Sequence, residues 1–460
     1  MRVPGRPLVV LLVGALAACS AAGPATAPGP VPAPDTSPGP TASPTHASPL
    51  PPHTPTVPPH TPPVPTHVPT VQAATRPPVV RPARSGCDGA SARDFDGDGR
   101  DDVALGYLGA TGRVHVLSAG KVIHLPTPPG NRMKGFGWSV TMAHVNDDRC
   151  ADLVVGTRTL TVAGLKGAGG VYVLHGGAAA PPRRLVSPRP QEDAAFGESV
   201  AAYGDLVAIG APRERPGGAV YLFRKGAFVR RITQETPGVP GSSEVSDRFG
   251  DRLALGPLAG GGVGLAIGAP EEYADGPGRQ DVGGRDDSPL GAVTVVRDVT
   301  ARRLSAVRLR PPRDDDGRPC AGFGDSLVYV PGTGPAVFSP PCGRLRFYDL
   351  DLKVIRTVTA LRAPWDAELA ASADGRVAAL GGDHGDPALL LLSPKDGTRD
   401  RRLTGDYLAD TAHRGIAFGG GRIVVTMQGA ADVALVDPAT GKADLVKTAT
   451  GDLFIKAVEG

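Results

Sequence analysis

The sequence predicts an all-β domain, a β-propeller of seven four-stranded blades, behind an export signal and an unstructured stalk. From residue 86 onward, short runs rich in Val, Leu, Ala and Ile are cut by Gly, Pro and Asp, and no stretch keeps a capped 3.6-residue period. Three short half-units also recur in fixed order, spaced as propeller blades require.

The N-terminus reads as a lipoprotein signal over residues 1–18. Arg2 and Arg6 precede an apolar stretch from Pro7 to Ala15, and Leu16-Ala17-Ala18-Cys19 forms the processing site. Small residues ending on a cysteine resemble the bacterial lipobox, which implies a diacylated Cys19 as the mature N-terminus. The apolar run falls short of the ~20 residues a spanning helix needs. Residues 19–85 are expected to be a lipid-anchored, disordered linker. Of residues 20–84, 21 are Pro and none is aromatic, too little apolar surface to offset the entropy of ordering. His46, His53, His60 and His67 recur within it every seven residues, most simply by duplication of a Pro-Pro-His-Thr unit.

Residues 86–460 hold the repeats. One half-unit reads FGWSV (136–140), FGESV (196–200), FGDRL (249–253) and FGDSL (323–327). The next reads DLVVGT (152–157), DLVAIGAP (205–212) and GLAIGAP (264–270). The third reads GGVYVL (169–174), GGAVYLF (217–223) and GAVTVV (291–296). Blades are expected to begin near residues 88, 136, 196, 249, 323, 366 and 412, the last two read from strand rhythm alone. A count of eight stays open. DLFIKAV (452–458) is left over and is assigned as a clasp strand on the first blade, because closing the ring removes exposed sheet edges.

These half-units resemble the FG-GAP repeats of integrin α-chain N-terminal propellers and of secreted bacterial proteins. The resemblance implies calcium loops between the first two strands of some blades, and ligands docking on the opposite face.

The sharpest motif is Asp94-Phe-Asp96-Gly-Asp98-Gly-Arg100-Asp-Asp102. Oxygens at alternate positions of a glycine-bent loop wrap a hard cation, here calcium, through Asp94, Asp96, Asp98, Asp102 and the Arg100 carbonyl. An EF-hand would place Glu where Leu105 stands, and a strand follows in place of a helix. A decayed copy keeps Asn146, Asp148 and Asp152 as a weaker site, with His144 replacing the first Asp. The loop after the second Gly-Ala-Pro turn, with Glu271, Glu272, Tyr273, Asp281, Asp286 and Asp287, is the candidate partner-binding segment.

No catalytic constellation stands out. Ser326 with Asp410 and His413 mimics a GDSL esterase, but the same FG-x-S frame recurs at 136 and 196. The Asn such an enzyme needs downstream of the serine is missing, since Asn131 and Asn146 both lie upstream. Sialidase boxes, quinoprotein tryptophans and zinc-spaced histidines are absent as well. Formal charge is +3, with acidic and basic residues interspersed, which argues against nucleic acid. Beyond Cys19, the four remaining cysteines allow three pairings, of which Cys87–Cys150 and Cys320–Cys342 keep each pair within or between neighbouring repeats. The expectation is a monomeric cell-surface lipoprotein, anchored by lipid alone on the outer face of the membrane. Its propeller would bind a protein or polysaccharide ligand; the rival readings are an envelope-assembly lipoprotein and a propeller-borne hydrolase.

Overall fold

The computed structural model describes residues 87, 93–108, 112–128, 135–177, 180–272, 289–359, 368–383, 386–408, 415–427, 432–448 and 454–459. The signal and stalk expectations therefore lie outside the described residues. Seven antiparallel four-stranded sheets form. In blades two to seven the innermost strands are Phe136–Ala143, Val200–Tyr203, Arg252–Pro257, Ser326–Val330, Glu368–Ala371 and Ile416–Gly419. Each leads outward through three further strands. Blades two to seven begin close to the expected positions, whereas in blade one, expected from near residue 88, the first described strand in chain order is Val103–Leu108.

Ring closure comes from the other end of the chain. Phe454–Glu459 pairs antiparallel with Val103–Leu108, with Leu105 opposite Val458 and Ala104 opposite Glu459. The leftover strand is thus the innermost strand of blade one, and the Asp94–Asp102 loop leads straight into that blade's second strand.

The recurring FG pair stitches neighbouring blades together. Phe136, Phe196, Phe249 and Phe323 are fully buried between sheets. The amide of Phe196 donates to Ala168 O (3.1 Å) and that of Phe249 to Gly217 O (2.9 Å), ahead of the previous blade's third strand. The following glycines adopt left-handed φ values, 90° at Gly197 and 94° at Gly250, which side-chain-bearing residues rarely tolerate. A Cβ on the second-strand glycines Gly156 and Gly210 would collide with the Gly197 and Gly250 carbonyls of the next blade. Ser139 and Ser199 donate their hydroxyls to those same two carbonyls, at 2.9 and 2.6 Å. The motif is a set of inter-blade contacts, with Phe as the buried wedge. Truncating one such Phe to Ala is expected to cost about 3–5 kcal/mol.

Both disulfides form as paired in the sequence reading, with Cα–Cα separations of 5.2 Å for Cys87–Cys150 and 5.9 Å for Cys320–Cys342. No helix among the described residues is long and apolar enough to cross a membrane.

Candidate functional site

The Asp94–Asp102 loop folds around its own carboxylates. Asp94 and Asp102 are buried and Asp96 is exposed, and one carboxylate oxygen from each lies within 4.8 Å of the others. Asp94 accepts the Gly97 and Gly99 amides at 2.6 and 2.7 Å. The left-handed φ of 84° at Gly97 and 85° at Gly99 makes this bend accessible. Asp98 stands outside the carboxylate trio and accepts the Arg100 amide at 2.9 Å. Asp102 Oδ2 accepts the Phe95 amide (2.8 Å), whereas its buried Oδ1 has no hydrogen-bond partner. Burial pushes the Asp102 carboxyl up to about 6, against the opposing pull of the Ser118 hydroxyl and the Phe95 amide, with the Asp96 charge adding to the rise. An all-oxygen donor set with one unsatisfied buried carboxylate oxygen fits a hard cation.

The second loop, His144–Asp152, has the same frame but a different filling. Asp152 Oδ2 accepts the Val145 amide at 2.9 Å, as Asp102 accepts Phe95. Its Oδ1, however, meets His175 Nδ1 at 2.9 Å and accepts the Gly176 amide and Asn146 Nδ2 at 3.4 Å. Asn146 Nδ2 also donates to Asp148 Oδ2 (2.8 Å), and Asp148 Oδ1 accepts the Cys150 amide (3.0 Å). Burial raises the Asp152 carboxyl, and the His175 contact works against that rise. The three predicted ligands are therefore brought together, but around a side chain of the protein's own. Sequence reading missed His175, which comes from the end of the third strand, 23 residues from Asp152.

On the opposite face the channel opens into a cavity of about 820 Å³, lined by the starts of the inner strands and by the turns after Gly-Ala-Pro. Its charges are largely paired with one another. Arg158 Nη1 donates to both carboxylate oxygens of Glu198 (3.0 and 3.1 Å) and lies 3.3 Å from the centroid of the Trp138 ring. Arg252 reaches Asp251 at 2.8 Å, and its charge is further favoured by Glu368, Asp325 and Glu198. Arg248 pairs with Asp251 and, at 2.7 Å, with Glu271. Trp138, Glu198, Asp251, Arg252 and Asp325 fall at the third or fourth residues of the FG half-unit, so the repeat alignment was the signal that could have found these lining residues.

Of the candidate partner-binding segment, Glu271 lines this mouth, whereas Glu272 is buried and holds Gln234 Nε2 (2.7 Å) and Arg308 (2.9 Å). Tyr273, Asp281, Asp286 and Asp287 lie outside the described residues. Ser326, the esterase look-alike, begins an inner strand with 3% exposure. Asp410 and His413 lie outside the described residues.

Residues 88–117 and residues 183–223 match two family models, each described as an FG-GAP repeat. No curated protein matches the chain. Among solved structures, a streptogramin B lyase is similar at 8% identity and a TM-score of 0.48, over 71% of this chain and 87% of that one. A selenomethionine-substituted virginiamycin B lyase from Staphylococcus aureus is similar at 10% identity and a TM-score of 0.45, over 71% and 95%. A chain of a mitotic checkpoint complex is similar at 15% identity and a TM-score of 0.45, over 71% and 83%.

Proposed function

We propose that this seven-bladed FG-GAP β-propeller is a calcium-stabilised binding module, exported and held on the outer face of the cell membrane by a lipid on Cys19. The observation that carries the reading is the mouth opposite the calcium loop. A cavity of about 820 Å³ carries four arginines (158, 213, 248, 252) against five carboxylates (198, 251, 271, 325, 368), beside Trp138. Near-balanced charge gives a polyanion little to hold, whereas paired guanidinium and carboxylate groups can exchange hydrogen bonds with hydroxyls and amides. An aromatic beside such pairs adds apolar contact area, so the ligand class that fits best is a polar chain of low net charge, a cell-surface polysaccharide.

Asp94, Asp96 and Asp102 would hold the calcium, with Asp98 and the Arg100 carbonyl as the further ligands that the family resemblance implies. The ion supplies charge neutralisation at a turn and takes no part in ligand chemistry. Asp152 and its neighbours would form at most a weak site, because His175 already satisfies the oxygen that an ion would take. The Pro-rich stalk would carry the propeller clear of the membrane, with a reach on the order of 200 Å at ~3.1 Å per residue. The reading assigns no catalytic role.

Co-sedimentation of the full chain with purified, uncharged cell-wall polysaccharide tests it. Retention should fall at least tenfold in Arg252→Ala and Trp138→Ala with the fold intact. Equal retention of both variants, or none by the parent chain, would contradict it.

A further inference from the structure

Behind the rim of this mouth lies a second group of carboxylates that the sequence reading did not single out. Glu244, Asp247 and Glu272 each bring one oxygen within 4.8 Å of the others. Asp247 is 3% exposed and Glu272 1%, while Glu244 is half-buried. Buried carboxylates this close repel unless a positive charge joins them. Among the described residues, Arg308 does so, with Nη2 2.9 Å from Glu272 Oε1.

The corresponding position in the preceding blade supplies an internal control. There the Gly-Ala-Pro turn ends in Glu214, which accepts Arg231 Nε and Tyr221 OH, both at 2.6 Å. Counting back from the FG phenylalanine, Glu244 corresponds to Gln191 and Asp247 to Ala194. The backbone agrees, since the Ala194 amide donates to Gln191 O and the Asp247 amide to Glu244 O, both at 3.4 Å. Blade three thus has a neutralised glutamate and uncharged residues at these two aligned positions, where blade four has two carboxylates. The excess charge belongs to one blade and is not demanded by the repeat.

A second observation points to what the excess is for. Gln234 is 3% exposed, and its amide head rests against the group, with Nε2 donating to Glu272 Oε2 at 2.7 Å. Its carbonyl oxygen, Oε1, has no hydrogen-bond partner. A buried amide oxygen without a donor, on a side chain held by one member of a carboxylate group, is the pattern a hard, oxygen-seeking cation resolves. Burial pushes the Asp247 carboxyl up to about 7, with the Glu272 and Glu244 charges adding to the rise.

We propose that Glu244, Asp247, Glu272 and the Gln234 carbonyl form a second divalent-cation site of calcium type, on the face opposite the Asp94 loop. Its place gives it a consequence. Arg248 and Glu271, chain neighbours of Asp247 and Glu272, pair with each other at 2.7 Å and line the mouth. A cation behind that pair clamps the segment before Phe249 to the turn after Pro270, and so fixes the rim against which a ligand docks.

Equilibrium dialysis of the full chain against radioactive calcium tests the site apart from the loop. With Asp94→Ala and Asp96→Ala disabling the loop, the chain should still bind one ion. Adding Asp247→Asn should abolish that ion, and Glu244→Gln, at the half-buried ligand, should weaken it at least tenfold. In the otherwise unmodified chain, Asp247→Asn should bind one ion fewer than its parent, a comparison that holds even where the loop-disabled chain fails to fold. Near-ultraviolet circular dichroism reports folding in each case. A folded loop-disabled chain that binds no calcium, or whose ion neither Asp247→Asn nor Glu244→Gln affects, would overturn the proposal.

Discussion

The Asp94–Asp102 and His144–Asp152 loops are two solutions to one problem, how to hold a tight acidic turn at the end of a blade. Their backbones are alike, and each last aspartate accepts the amide of the second loop residue through Oδ2 (2.8 Å from Phe95, 2.9 Å from Val145). They part at the other oxygen. Register makes Ser118 and His175 equivalent, because Val103 pairs with Leu117 and Leu153 with Leu174. Serine leaves Asp102 Oδ1 without a partner, whereas histidine meets Asp152 Oδ1 at 2.9 Å. Where the first loop offers the Arg100 carbonyl, the second carries Cys150, tied to Cys87. One loop is left for an ion, and the other is closed by a ring, an amide and a disulfide. The difference teaches that one acidic loop frame can have its last carboxylate satisfied by the protein's own side chains or left with an open oxygen.

Four perturbations would break or sharpen this contrast. The largest effect should come from the disulfide. Cys87→Ser with Cys150→Ser releases a 63-residue closure and should cost up to about 4 kcal/mol in denaturant unfolding under oxidising conditions. A cost below about 1 kcal/mol would mean that the second loop is held by its hydrogen bonds alone. Next, His175→Ala leaves the buried Asp152 Oδ1 with only its two 3.4 Å donors and should lose about 1–3 kcal/mol. Calcium should restore part of that loss, an effect absent from the parent second loop. Third, Ser118→His places the second loop's solution into the first and should weaken calcium binding there at least tenfold by calorimetry.

The smallest effect is a pH slope. The Asp102 carboxyl is raised to about 6, above its unfolded value, so the folded state binds the extra proton between pH ~4 and ~6. Without calcium its contribution to stability is therefore full below that window, falls as pH rises through it and is flat above. Asp102→Asn should remove that part of the slope, and saturating calcium, which needs the carboxylate, should flatten or reverse it. Unfolding midpoints across pH 4–8 in chelator would show it.

The fold was legible because its contacts are local in the repeat. The FG phenylalanines and the facing glycines encode the blade interfaces directly, so four aligned half-units predicted four blade interfaces. Blades six and seven followed from strand rhythm, and the closing strand from the need to remove a sheet edge. The carboxylate cluster of the first loop was legible because its aspartates lie within nine consecutive residues. The filling of the second loop was not legible, since the His175 side chain that meets Asp152 arrives from beyond another strand. The Glu244, Asp247 and Glu272 group joins residues up to 28 positions apart through a turn, and its one sequence trace is the glutamate shared by GAPRE and GAPEE. The mouth was hidden too, because pairing such as Arg158 with Glu198 crosses between blades.

Thermal unfolding of the full chain with saturating calcium and with chelator, for the parent and for Asp94→Ala, tests the central claim most directly. Calcium at a hundredfold excess over its Kd should stabilise the parent by roughly 2.7 kcal/mol per site. The Asp94→Ala chain should lose the share that belongs to the loop. A parent midpoint indifferent to chelator, or an Asp94→Ala chain as responsive as the parent, would contradict the account.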